Sequence, residues 1–288
     1  EVRVSDVERS AGWIETSFNN QNSPETFFES KLEQKWSGIS WWNEGWKYRK
    51  IIEIDNTKVE DNLSDFPLLV SVTDLDLVSN AQADGDDIVF TTSIGKTKLA
   101  HEIESYNNTT GELIAWVKVP ILSSEVNTRI DMYYGNSDVS SQQDSEEVWG
   151  GEYKVVHHLK DETSSSTVDS TSNGNDGTKT STDNPLEVDG KIGRAQDFDA
   201  SGENIGFGTN LYLDANDVFS VSMWVNMDTF KSAENDKWIT LKTLNAGGQS
   251  WYVFSYDNSS YRDVTFGVQG GYQKFSLGSP EAGEWKHV

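Results

Sequence analysis

From Trp41 onward the hydrophobic pattern repeats every two residues and is broken at short intervals by turn residues, and no segment there sustains a long amphipathic helix. A period of two sends alternate side chains to opposite faces of a strand, so such a chain buries its apolar residues by stacking sheets. In the clearest case Phe219, Val221, Met223, Val225 and Met227 point one way, and Ser220, Ser222, Trp224 and Asn226 the other. Further strands are predicted at Trp46–Ile54, Pro67–Val72, Asp87–Thr91, Glu112–Val119, Thr128–Tyr134, Val155–Leu159, Gln196–Phe198, Trp251–Tyr256 and Val264–Val268. Turn-type stretches such as 83–86 and 107–111 separate them. The expected fold class is all-β, built of β-sandwich domains, with one short helix near the N-terminus.

That helix is predicted from Ser5-Asp6-Val7-Glu8, which fits a capping box with Ser5 as N-cap. Val7, Ala11, Ile14 and Phe18 then fall on one apolar face, and residues 19–24 end the helix. Before it, Glu1 to Val4 alternate like a strand without a neighbouring hairpin partner. Its backbone donors must pair with distant residues or with another chain.

Charge narrows the function. With 47 Asp+Glu against 23 Lys+Arg the formal net charge is −24. Such a field repels a phosphate backbone, so no nucleic acid partner is expected, nor an anionic membrane surface. No apolar run approaches the roughly 20 residues of a membrane span, and no basic-then-apolar leader opens these residues. The 11 Trp, 12 Phe and 10 Tyr exclude a wholly disordered acidic chain. Zero cysteines exclude disulfides, thiolate metal sites and cysteine nucleophiles.

Several constellations invite chemistry. Asp169, Asn173 and Asp176 set hard oxygen ligands within eight residues, which suits calcium; a solvated loop whose Asx side chains cap turns has the same composition. Asp84-Gly85-Asp86-Asp87 fails the EF-hand test, because the twelfth position is Gly95, and reads as a tight acidic turn. His101 with Glu102 and Glu104 could suggest acid–base work. His157 and His158 could suggest a metal pair, although neighbours in a strand face opposite sides. With 47 carboxylates, two close together are expected by chance. There is no nucleophile elbow, H-E-x-x-H, phosphate-cradling loop or dinucleotide fingerprint, and the chain reads as a non-enzyme. Trp224, Trp251 and Tyr252 lie on strands where they could stack on sugars or fill a core. Sequons occur at Asn62, Asn107, Asn108 and Asn258.

Residues 155–159, 169–177 and 190–195, then Phe198-Asp199, residues 219–225 and Trp285-Lys286-His287-Val288 together resemble a LamG-like, concanavalin A-type jelly roll. Residues 1–24 resemble the closing strand and helix of the same domain type. The block between is similar to an uncharacterised β-domain family that accompanies LamG-like domains in archaeal and bacterial surface proteins. That resemblance rests on Trp41-Trp42-Asn43 with residues 46–50, Asp65-Phe66-Pro67, residues 84–88, His101-Glu102-Ile103-Glu104 and Tyr133-Tyr134-Gly135-Asn136. It implies three parts: 1–33, the end of one LamG-like domain; 34–149, the uncharacterised β-sandwich; and 150–288, the first part of a second jelly roll. Jelly rolls of this type often carry calcium, which adds weight to the 169–176 loop. The function implied is an extracellular cell-surface structural or adhesive module, either a segment of a multidomain array or a filament subunit joined through β-strand contacts. Its partners would be neighbouring copies or domains of the same protein, and glycans. The alternative is a calcium-dependent carbohydrate-binding lectin.

Overall fold

The computed structural model describes residues 1–37, 41–94, 96–163, 165–179, 185–199, 203–207, 218–228, 236–242, 250–258, 261–268, 271–276 and 281–288. It is all-β: among the described residues strands predominate and helices are few. Two sheets form the central unit. One runs in the order Phe28–Ser30, Tyr48–Ile54, Thr128–Tyr134, Val89–Thr92, Lys98–Leu99. The other places Glu112–Leu122 between Leu63–Thr73 and His101–Asn107. Their facing sides interdigitate: Ile52, Ile54, Ile130, Met132 and Tyr134 meet Phe66, Leu68, Val70, Leu113, Ala115 and Val117. Alternation explains this selection, since residues between them along each strand face outward.

The outward face of the three-stranded sheet is also apolar. Leu69, Ile114 and Trp116 pack against Val148, Trp149, Tyr153, Val156, Ile192 and Trp224, forming a second core shared with the C-terminal unit. That unit offers a four-stranded sheet in the order Tyr153–His157, Val2–Ser5, Ser220–Asn226, Trp285–His287. The opening strand, β1 (Val2–Ser5), is therefore an interior strand of a sheet whose other members lie some 150 or more residues later. Val2 pairs with His157 on one side and Met223 on the other, and Val4 with Val155 and Val221. Because this pairing is within the chain, the reason for expecting strand exchange with a neighbour falls away.

Helix α1 spans Ala11–Asn22, and its cap differs from the expectation. Ser10, not Ser5, is the N-cap, and its hydroxyl accepts from the Trp13 N–H at 3.1 Å. Ser5 cannot serve, because its backbone belongs to β1 and pairs with Ser220 and Tyr153. The buried residues are polar too: Thr16, Ser17, Asn20 and Gln21, while Ile14 is 49% exposed. Asn20 grips the Leu69 backbone twice, donating to its carbonyl at 3.0 Å and accepting from its N–H at 2.7 Å. Gln21 accepts the Trp224 indole N–H at 2.7 Å. The helix thus joins both units by hydrogen bonds to buried groups that would otherwise lack partners.

Candidate functional site

Where β1 meets the central unit, a set of charged side chains is buried among indoles. Along His101–Asn107 the register with Glu112–Leu122 jumps from Ile103↔Ala115 to Ser105↔Ile114, so Glu104 is the extra residue of a β-bulge. Bulges re-aim side chains. Here both Glu102 and Glu104 reach the shared core, while Ile103 keeps its place against the central one. Glu104 accepts the Trp116 indole N–H at 2.9 Å, and Glu102 accepts that of Trp149 at 2.5 Å and the Ser170 hydroxyl at 2.6 Å. A close turn is required beside them. Gly193 has φ +49°, and a Cβ there would fall 1.9 Å from a Glu104 carboxylate oxygen, which accounts for glycine in the 190–193 turn.

His158 stands between these carboxylates, just past the end of strand Tyr153–His157. Its Nε2 lies 3.1 Å from Glu102, and its Nδ1 lies 3.3 Å from Glu104 and 3.6 Å from Glu1. The Nδ1 contacts are ionic, without hydrogen-bond alignment. Glu1, just ahead of β1, and Arg3 within it are joined at 2.6 Å, and the Arg3 guanidinium lies 4.2 Å from the Trp116 ring centre and 4.7 Å from that of Trp149.

Burial pushes the His158 imidazole toward its neutral form, but Glu102, Glu104 and Glu1 outweigh it and raise the pKa to about 9. Burial acts against ionised Glu102 as well, yet His158 and the surrounding donors hold its pKa below the usual range. For Glu104 burial wins, and its pKa is raised. The cluster then sets Glu1, Glu102 and Glu104 beside Arg3 and His158, with Glu104 the carboxyl that burial disfavours most as an anion. Buried charges persist only when paired in this way. Glu1, Arg3, Glu104 and His158 are each at most 7% exposed, so the arrangement acts as a clasp between two sheets.

The other sequence candidates sit elsewhere. His157 faces away from His158, bonding the Asn175 carbonyl at 2.9 Å and stacking on Phe207, as strand alternation requires. His101 is buried beside Phe90, and desolvation lowers its pKa to about 4, so it is neutral. Asp87 is fully buried and accepts the N–H groups of Gln82, Gly135 and Asn136, fixing the acidic turn.

Asp169, Asn173 and Asp176 share one loop. The Asp169 carboxylate accepts from Val156 N, Thr171 N, the Thr171 hydroxyl and Asn175 N, and Asp176 accepts from Asp169 N. The Asn173 amide donates to the Tyr153 carbonyl at 3.0 Å. Both Asp169 oxygens and one Asp176 oxygen are taken by backbone and hydroxyl donors, and among the described residues no group of His, Asp or Glu is arranged to hold a metal ion.

Trp224 is 6% exposed, its ring enclosed by Phe18, His287 and Lys191, so it offers no open face to a sugar. Trp251 and Tyr252 lie in strand Ser250–Asn258, whose side chains are outside the described residues. Asn62, Asn107 and Asn108 are exposed, and Asn258 lies in the same undescribed set of side chains.

Sequence reasoning paired Glu102 and Glu104 with His101 and missed Glu1, Arg3, Trp116, Trp149 and Ser170. One signal was present: Glu1 and Arg3 are two residues apart in a strand, hence on one face. Only the tertiary pairing of β1 turns that face inward.

Residues 84–178 match a family described as a domain of unknown function, DUF2341. No curated protein and no solved structure matches the chain. The matched segment crosses from the central core to the C-terminal one and contains Glu102, Glu104, Trp116, Trp149, His158 and Ser170.

Proposed function

We propose that the chain is a structural or adhesive segment of an extracellular cell-surface protein, one stretch of a multidomain array rather than an enzyme. The observation that carries this reading is the sheet around β1. It gathers Val2–Ser5, Tyr153–His157, Ser220–Asn226 and Trp285–His287, the segments from both ends of the chain in which the LamG-like resemblance resides. A unit completed by a strand from the far side of another domain holds its neighbour at a fixed angle, which serves an array that must keep its reach. The shared core and the buried clasp support the same rigidity. Interdomain contacts that are large and apolar suppress relative motion. The −24 charge suits a soluble, self-repelling exterior. The exposed sequons Asn62, Asn107 and Asn108 would be glycan sites in an exported protein.

Antibodies against this chain test the proposal. Labelling of intact, unpermeabilised cells, with reduced adhesion when the segment is deleted, is expected. Labelling that requires permeabilisation would overturn it.

A further inference from the structure

The three-stranded sheet of the central unit has two outer edges, and most of their length is closed. On His101–Asn107 the His101 carbonyl accepts from Asp144 N at 2.8 Å, and the Ile103 N–H donates to the Gln143 side chain at 2.6 Å. On Leu63–Thr73 the Asn20 amide takes both backbone groups of Leu69. Backbone groups alternate sides along a strand, so those of Pro67, Ser71 and Thr73 point outward as Leu69's do. Pro67 has no N–H to offer. Past Leu69 the closure stops: among the described residues the N–H and C=O of Ser71 and the N–H of Thr73 meet no partner. Folded proteins ordinarily block such an edge, because it invites another chain.

The open stretch borders a groove of about 600 Å³. Ser71, Val72 and Thr73 line it from one sheet, and Ser30 from the outermost strand of the other. The Ser30 backbone also points outward, because its neighbour Lys31 donates to the Ile51 carbonyl on the inner side. Leu32, 89% exposed, adds apolar surface. The charged lining is balanced, with Lys31 and Lys50 against Glu25 and Asp74, in a chain of 47 acids and 23 bases.

We propose that this groove takes an extended, uncharged peptide segment of another polypeptide as an added strand, paired to Ser71 and Thr73. Backbone pairing supplies the affinity, and alternate side chains of the guest rest on Leu32 and Val72. The balanced lining selects a guest without net charge, and the field of a −24 chain repels an acidic one. The volume falls within the roughly 300–1,000 Å³ of binding clefts, which admits a short strand and excludes a folded domain. The site lies on the central unit, and the inference is independent of where the protein resides.

The intact chain, labelled with nitrogen-15, is titrated with a blocked hexapeptide alternating valine and threonine, and with the same peptide N-methylated throughout, which keeps the side chains and removes every backbone donor. Saturable shifts of the Ser71 and Thr73 amides at millimolar peptide, with slowed hydrogen exchange at both, are expected from the first peptide and not from the second. Ser71→Pro, which gives this position the form Pro67 already has, should weaken binding about tenfold. The comparison of the two peptides on the wild-type chain decides the matter whatever Ser71→Pro does to the fold. Equal binding of the two peptides would be apolar adhesion, and the absence of a saturable shift at these amides would mean that the edge stays unpaired; either result overturns the proposal.

Discussion

At the residue scale, the consequences concentrate on His158. Its pKa is about 6.5 in an unfolded chain and about 9 in the folded one. A raised pKa means that the stabilisation is complete below pH 6.5 and is lost as pH rises through 9. The difference corresponds to about 3 kcal/mol. Urea midpoints should therefore fall between pH 7 and 9.5, and His158→Gln should flatten that slope while lowering stability at pH 6.5. The two glutamates are predicted to behave differently. Glu102 is held ionised, so Glu102→Gln should cost about 2–4 kcal/mol by leaving His158 underpaired. Burial raises the Glu104 pKa and so disfavours its charge, and Glu104→Gln should cost less than Glu102→Gln at pH 7. Equal losses in the two denaturation curves would contradict this assignment of charge. Gly193→Ala meets both a left-handed φ and a carboxylate oxygen 1.9 Å from the new Cβ, and should destabilise by about 2 kcal/mol or more in the same assay.

At the scale of elements, strands were legible and their partners were not. Thr128–Tyr134 is found where alternation predicts it, because its apolar residues Ile130, Met132 and Tyr134 face one core. The predicted strand near Val155 starts earlier and ends before His158, which leaves the imidazole free to turn into the clasp. Helix α1 was misread in two ways, both physical. Ser5 and Ser10 are the same residue type, so local sequence does not say which one lies outside a strand, and amphipathic counting cannot anticipate a helix that buries amides to satisfy a strand and an indole. Asn20→Ala should therefore cost about 2–3 kcal/mol, since it strands the Leu69 N–H and carbonyl contacts. Ile14→Ala, on the half-exposed side, should change stability by less than about 1 kcal/mol. Chemical denaturation of the two variants side by side would reveal which face carries the helix.

At the scale of the molecule, the two cores are coupled through one sheet. Leu69 and Trp116 leave the central unit to pack on Trp149, Tyr153 and Trp224, so neither unit can lose its fold without exposing the other's buried indoles. The clasp was illegible in the sequence for the same reason: its residues come from positions 1–3, 102–104, 116, 149, 158 and 170, and no local pattern joins them. The 84–178 family match spans this junction, and its strand Tyr153–His157 belongs to the sheet that β1 completes. Trp116→Ala should lower stability by about 3–5 kcal/mol and separate one calorimetric transition into two.

Strand β1 completes a sheet of its own chain. Trp224 N donates to the Glu1 carbonyl, which makes Glu1↔Trp224 a hydrogen-bonded pair and, by alternation, Val4↔Val221 a non-hydrogen-bonded one. Such a pair brings Cα atoms to about 4.5 Å, within disulfide range. The chain has 0 cysteines, so Val4→Cys with Val221→Cys introduces the only two thiols. Mild oxidation at low protein concentration should give a monomer with an intrachain disulfide. Disulfide-linked dimers, or thiols that stay free, would contradict the Val4↔Val221 pairing.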